Sequence, residues 1–229
     1  MQKESISKDD IQQLLFFMNR IQAFEKTFLI QKESIIRLIW GLFLMGAGIL
    51  DYVIYEMTVI SEVYGLQTLL PWVLAIFSGL IIQLYSDRHL VNIYSWKKED
   101  PEKNTNTLFL ITGFVIMAIV ITFFSSTDLY YLTFPFIALI SGFMSLVGDR
   151  DFFQKNKDIF KRNFYLFTPV ICVGAALLML LVSWMDPEFI KFHGAIFGIS
   201  FGGSFGIIAF WNRIKVEEFF EQTEVTEGS

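Results

Sequence analysis

Residues 163–185 read NFYLFTPVICVGAALLMLLVSWM, twenty-three consecutive positions without a charge. A helix rises about 1.5 Å per residue and needs about 20 predominantly apolar residues to cross bilayer hydrocarbon, so this stretch reads as a membrane span. Lys161 and Arg162 bound it on one side and Asp186 on the other. Four more charge-free runs qualify in the same way: Val63–Ser86, Asn104–Thr127, Leu129–Gly148 and Gly194–Asn212. A sixth is interrupted. Leu38–Leu50 carries no charge, and Asp51 and Glu56 then break a stretch that stays apolar to Ile60. The composition agrees, because 54% hydrophobic and only 18% charged residues are too apolar for a soluble domain of 229 residues.

The expected fold is therefore all-α: a polytopic membrane protein with six transmembrane helices in three hairpins, preceded by a cytoplasmic amphipathic helix. The expected spans are 36–60, 65–86, 106–126, 129–148, 164–185 and 190–212. They divide the chain into an interfacial helix at 1–34, a membrane domain at 35–212 and an acidic tail at 213–229. The chain has eighteen Lys and Arg, and all but Lys191 fall in the N-terminal segment, the second-to-third and fourth-to-fifth connections, or the C-terminus. Cytoplasmic loops retain cations during insertion, so both termini are expected in the cytoplasm, with the cell membrane as the location. The short outer connections inflate this imbalance without changing its sign. More than thirty residues, including Glu4, Asp9, Asp10 and Glu25, precede the first strong apolar run, which is unlike a cleavable secretory signal.

Ile11, Leu14, Leu15, Met18, Ile21, Phe24 and Phe28 recur at helical steps, with Asp10, Gln13, Arg20, Gln22 and Lys26 largely between them. This pattern is an amphipathic helix. Ser7 with Asp10 resembles a capping box at its start. The helix is expected to lie in the headgroup region or to dock a cytoplasmic partner. The inner loops mix aromatics with charge, as at Tyr94, Trp96, Lys97 and Lys98, and at Phe152, Phe153 and Phe160 among Lys155, Lys157, Lys161 and Arg162. The second and fourth spans share the order Pro, Ser-Gly, Asp-Arg (Pro71, Ser78, Gly79, Asp87, Arg88; Pro135, Ser141, Gly142, Asp149, Arg150), as a duplication would leave.

The sixth span carries the sharpest local pattern. Gly194, Gly198, Gly202 and Gly206 recur every four residues beside Phe197, Phe201 and Phe205. A glycine stripe admits close helix approach, and in lipid such packing drives association, within the bundle or at a homodimer seam. Asp51 is the leading polar candidate, since an ionisable side chain inside a bilayer is costly and turns toward a partner or a wet cavity. It lies about 21 Å above Arg37 along the helix. Tyr55, one turn further, and His193, at the mouth of the sixth span, are its candidate partners.

Catalytic motifs do not survive inspection. Gly198-Ile-Ser200-Phe-Gly202 spells G-x-S-x-G, but a nucleophile elbow requires a strand–turn–helix and this copy lies in a membrane helix. The chain resembles rhomboid proteases in having six spans, Ser141-Gly142 in the fourth, and His193 with Gly194 and Gly198 in the sixth. It departs from them at Leu139, in the register of the glycines, and in lacking a long first outer loop. Ser141 lies about 17 Å inside its helix while His193 is at the mouth of its own, so the pair is not expected to meet. No metal or cofactor motif occurs, the lone Cys172 has no disulfide partner, and no basic surface points to nucleic acid.

A non-catalytic role follows as the expectation. The chain reads as an accessory or assembly protein whose partners are the lipid bilayer, a second copy of itself or a cytoplasmic protein. The alternative is a transporter subunit. In outline the chain resembles the membrane subunits of some ABC exporters, with a cytoplasmic amphipathic helix leading into six spans. That resemblance covers architecture alone and implies a separate ATPase chain, since no P-loop occurs here. Broken helices of the usual transporter kind are not expected.

Overall fold

The computed structural model describes the backbone of residues 8–58, 66–93, 102–125, 129–157, 159–160 and 164–227. Among the described residues every element is helical and there is no strand. The helices are α1 (Lys8–Thr58), α2 (Leu66–Ile93), α3 (Glu102–Ser125), α4 (Thr133–Lys155), α5 (Phe167–Met185), α6 (His193–Phe197) and α7 (Gly203–Glu227). Short 3-10 turns at Tyr130–Leu132, Phe164–Leu166 and Pro187–Phe192 lead into α4, α5 and α6. Pro135 and Pro169 fall in the first turns of α4 and α5, where a missing N–H costs nothing.

Three segments are long and apolar enough to cross a membrane: Gln13–Met57, Phe164–Met185 and Pro187–Phe219. Shorter apolar stretches, Leu70–Tyr85 and Val115–Phe124, lie within α2 and α3. The side-chain distribution matches an apolar solvent. Leu74, Phe77, Ile81 and Leu84 form an exposed stripe on α2, and Val170, Leu177, Leu181 and Trp184 form another on α5.

The expected boundary between an interfacial helix and the first span is not marked by a break. α1 runs for 51 residues, about 76 Å at helical rise, through position 34 without interruption. Nothing between Lys8 and Thr58 stops a helix, because the segment contains no proline. The region expected as a sixth span is also not one continuous α-helix. A π-helical segment, Gly198–Gly202, separates α6 from α7. Gly198, Gly202 and Gly203 supply the weak helix propensity that permits the wider turn.

α1 packs along α7, the π segment, α6 and α2, while α4 packs on α5 and α3. Two apolar clusters join these groups. One gathers Leu44, Ala47, Trp72, Ala75, Ile137, Ala138, Ala175, Ala176, Met179 and Phe197. Its alanines let backbones approach, the packing mode available when lipid supplies no hydrophobic drive between helices. The second cluster gathers Ile30, Phe153, Ile159, Phe160, Ile208 and Val216.

Candidate functional site

The glycines of α6 and the π segment meet α1. A Cβ on Gly198 would lie 2.6 Å from the Leu44 carbonyl oxygen and 2.9 Å from the Gly48 Cα. A Cβ on Gly202 would lie 2.5 Å from the Gly41 carbonyl oxygen, and one on Gly41 would meet Gly202 in the same way. Backbone contact at this distance excludes every side chain. Gly206 differs, since a Cβ there would have nothing within 4 Å. The stripe is thus used inside the chain by three of its four members, and its partner is a second glycine row, Gly41 and Gly48.

Asp51 ends this seam. Its side chain is 6% exposed and lies against Gly194, where an added Cβ would overlap the carboxylate. Among the described residues no cation pairs with it. Its polar neighbour is Trp72 on α2, which is close enough to act on the carboxyl, yet whose Nε1 falls short of hydrogen-bond geometry with any group among the described residues. The Trp72 ring is held by Phe134 and Phe197, with ring centroids 5.7 and 5.4 Å away. Tyr55 is half-buried one turn beyond Asp51. At the same end Tyr52 stacks on Phe192, and Glu56 pairs with Lys191 at 3.0 Å.

His193, 1% exposed, sits next to Gly194 in the chain, but its ring engages α5. Its Nε2 is 2.6 Å from the Ser183 hydroxyl, and the Met179 and Tyr131 backbones lie within hydrogen-bonding reach of the ring. Asp51 and His193 therefore share a level of the bundle without forming a pair. The G-x-S-x-G copy coincides with the π segment, and the buried Ser141 hydroxyl has no hydrogen-bond partner among the described residues.

A second polar centre was not visible in the sequence. Arg37 Nη1 lies 2.7 Å from Asp149 Oδ1, with side chains only 10% and 7% exposed. Ser145 donates to the other Asp149 oxygen at 2.8 Å, Glu33 accepts from Arg37 Nε at 3.2 Å, and the guanidinium rests 5.3 Å from the Phe152 ring centroid. The pair ties α1 to α4, helices that otherwise scarcely touch. Arg37 counts in the sequence as a topology marker and Asp149 as half of an interfacial Asp-Arg step. The available signal was Ser145 placed one turn before Asp149, which marks a carboxylate turned inward. Ser204 and Thr168, joined at 3.2 Å, tie α7 to α5, and Asn212 is fully buried with both amide atoms unpartnered among the described residues.

This is polar chemistry suited to fixing helices together, and to holding one proton or one small polar group at Asp51. The chain matches no protein-family model, no curated protein sequence and no solved structure.

Proposed function

We propose that the chain is an integral membrane protein that crosses the bilayer six times as three hairpins, with both termini cytoplasmic. In this reading it works as a non-catalytic accessory or assembly protein through a cytoplasmic-side partner. The observation that carries the reading is the N-terminal part of α1. Residues 8–35 add about 42 Å of helix beyond the expected first span. There Ile11, Leu14, Phe17, Ile21 and Phe24 are each about half exposed or more.

Between Lys8 and Lys26 three cations balance three carboxylates, which is unlike the basic face of a helix drawn to anionic lipid. An apolar helical surface of neutral charge suits a groove on a protein partner or a second copy. The glycine seam supports the same division of labour, since α1 already occupies it and leaves the rod as the surface for association. A photo-crosslinking residue at Phe17, activated in native membranes, is expected to yield a defined protein adduct. Adducts with lipid alone would sink the reading. For topology, cysteines introduced at Ser7 and Ser229 in a Cys172→Ser background should resist an impermeant thiol reagent until cells are opened.

One observation favours the alternative, a transporter subunit with a separate ATPase. The π segment interrupts a helix of this reading's sixth span, starting four residues after Gly194, the residue against which the Asp51 carboxylate rests, and interrupted helices frame the binding sites of many transporters. Co-purification of an ATPase whose turnover depends on the full chain is the outcome that would promote it.

A further inference from the structure

Among the described residues Trp72 Nε1 is a buried donor without an acceptor, in a residue more than nine-tenths buried, and the polar group beside it is the Asp51 carboxyl. Each half of that arrangement is costly if left fixed. A charged carboxylate inside a membrane bundle is expensive without a partner, and a buried N–H with no acceptor loses its hydrogen bond outright. The two protonation states each relieve one of these costs. A proton on the carboxyl removes its charge and leaves a neutral O–H donor and C=O acceptor; when the proton leaves, the carboxylate is a strong acceptor for a charge-assisted bond from the indole.

The surroundings point to a proton and not a metal ion, because one carboxylate facing an N–H donor is the wrong ligand set for a hard cation, which takes six or more oxygens. The carboxyl fits where it lies only because residue 194 lacks a Cβ.

We propose that Asp51, Trp72 and Gly194 form an intramembrane proton-binding site joining α1, α2 and α6. The reaction is simple: Asp51 –COOH releases a proton to water at this end of the bundle, and the resulting carboxylate accepts a hydrogen bond from Trp72 Nε1. The other titratable groups nearby are Tyr52 and Tyr55 on α1, the Glu56–Lys191 pair at the rim, and His193, whose ring is engaged by Ser183. The site does not rest on the docking reading of α1.

The test uses the full chain in membranes and a hydrophobic carbodiimide, which modifies carboxyls only in their protonated form. Mass spectrometry should locate the adduct at Asp51. Above its midpoint the labelling should fall about tenfold per pH unit, following the protonated fraction. Asp51→Asn should abolish the adduct, and the pH-dependent change in tryptophan emission should vanish in both Asp51→Asn and Trp72→Phe. Trp72→Phe keeps the carboxyl and should still be labelled, which guards against misfolding of the first variant. An unlabelled Asp51, labelling that is equal at every pH, or an emission change that persists in Asp51→Asn and disappears in His193→Gln would each overturn the proposal.

Discussion

Removing Arg37 should destabilise the bundle more than any other single polar substitution on α1. The guanidinium and Asp149 meet at 2.7 Å, both nearly excluded from solvent. Breaking such a pair from one side leaves an uncompensated buried charge and typically costs about 3–5 kcal/mol. The two sides are unequal. Among the described residues Arg37→Met leaves Asp149 with only the Ser145 hydroxyl, whereas Asp149→Asn leaves Arg37 with Glu33, 39% exposed, and with the Phe152 ring. Arg37→Met should therefore fall in the upper part of that range and Asp149→Asn below it. Replacing both, as Arg37→Met with Asp149→Leu, removes both charges and should cost less than the sum of the single substitutions by at least about 1.4 kcal/mol, a tenfold change in the unfolding equilibrium. The assay is reversible unfolding in mixed detergent micelles, followed by circular dichroism. Additive costs, or a loss below about 1 kcal/mol for Arg37→Met, would refute a strut that holds α1 to α4.

The glycine seam makes a paired prediction. Gly198→Ala drives a methyl into the Leu44 carbonyl and should cost about 1–3 kcal/mol, while Gly206→Ala meets open space and should be neutral or gain up to about 1 kcal/mol in helix propensity, both read as unfolding midpoints. Ser183→Ala removes the hydroxyl from the buried His193 ring and should cost about 1–3 kcal/mol, with His193 solvent exchange as a second readout. Asn212→Leu exchanges an unpartnered amide for an apolar group of similar size and should be neutral or stabilising; a loss above about 1 kcal/mol would show that the amide is satisfied.

Helical segments were legible because the property that creates them is local. A run such as 163–185 excludes charge over enough residues to require a helix in lipid, and no other part of the chain is needed to read it. The glycine repeat was legible as a packing face for the same reason, since four-residue spacing puts Gly194, Gly198 and Gly202 on one stripe. Asp51 was legible as an anomaly. The length of α1 and the π turn were less so, because a helix end or a widened turn depends on what its neighbours press against it. Gly198–Gly202 widens where it lies directly on the backbone of α1, and the sequence of that segment does not contain that neighbour.

The sequence by itself determined that the protein is helical and apolar, and which residues sit together on each helix face. Only the tertiary structure decided which faces meet. Arg37 finds Asp149, His193 turns to Ser183 and away from Asp51, Asp51 comes to rest against Gly194 and Trp72, and the glycine stripe is spent on α1. The physical reason is that helical periodicity fixes angles around one axis, whereas the register and rotation between two axes are set by side chains from both.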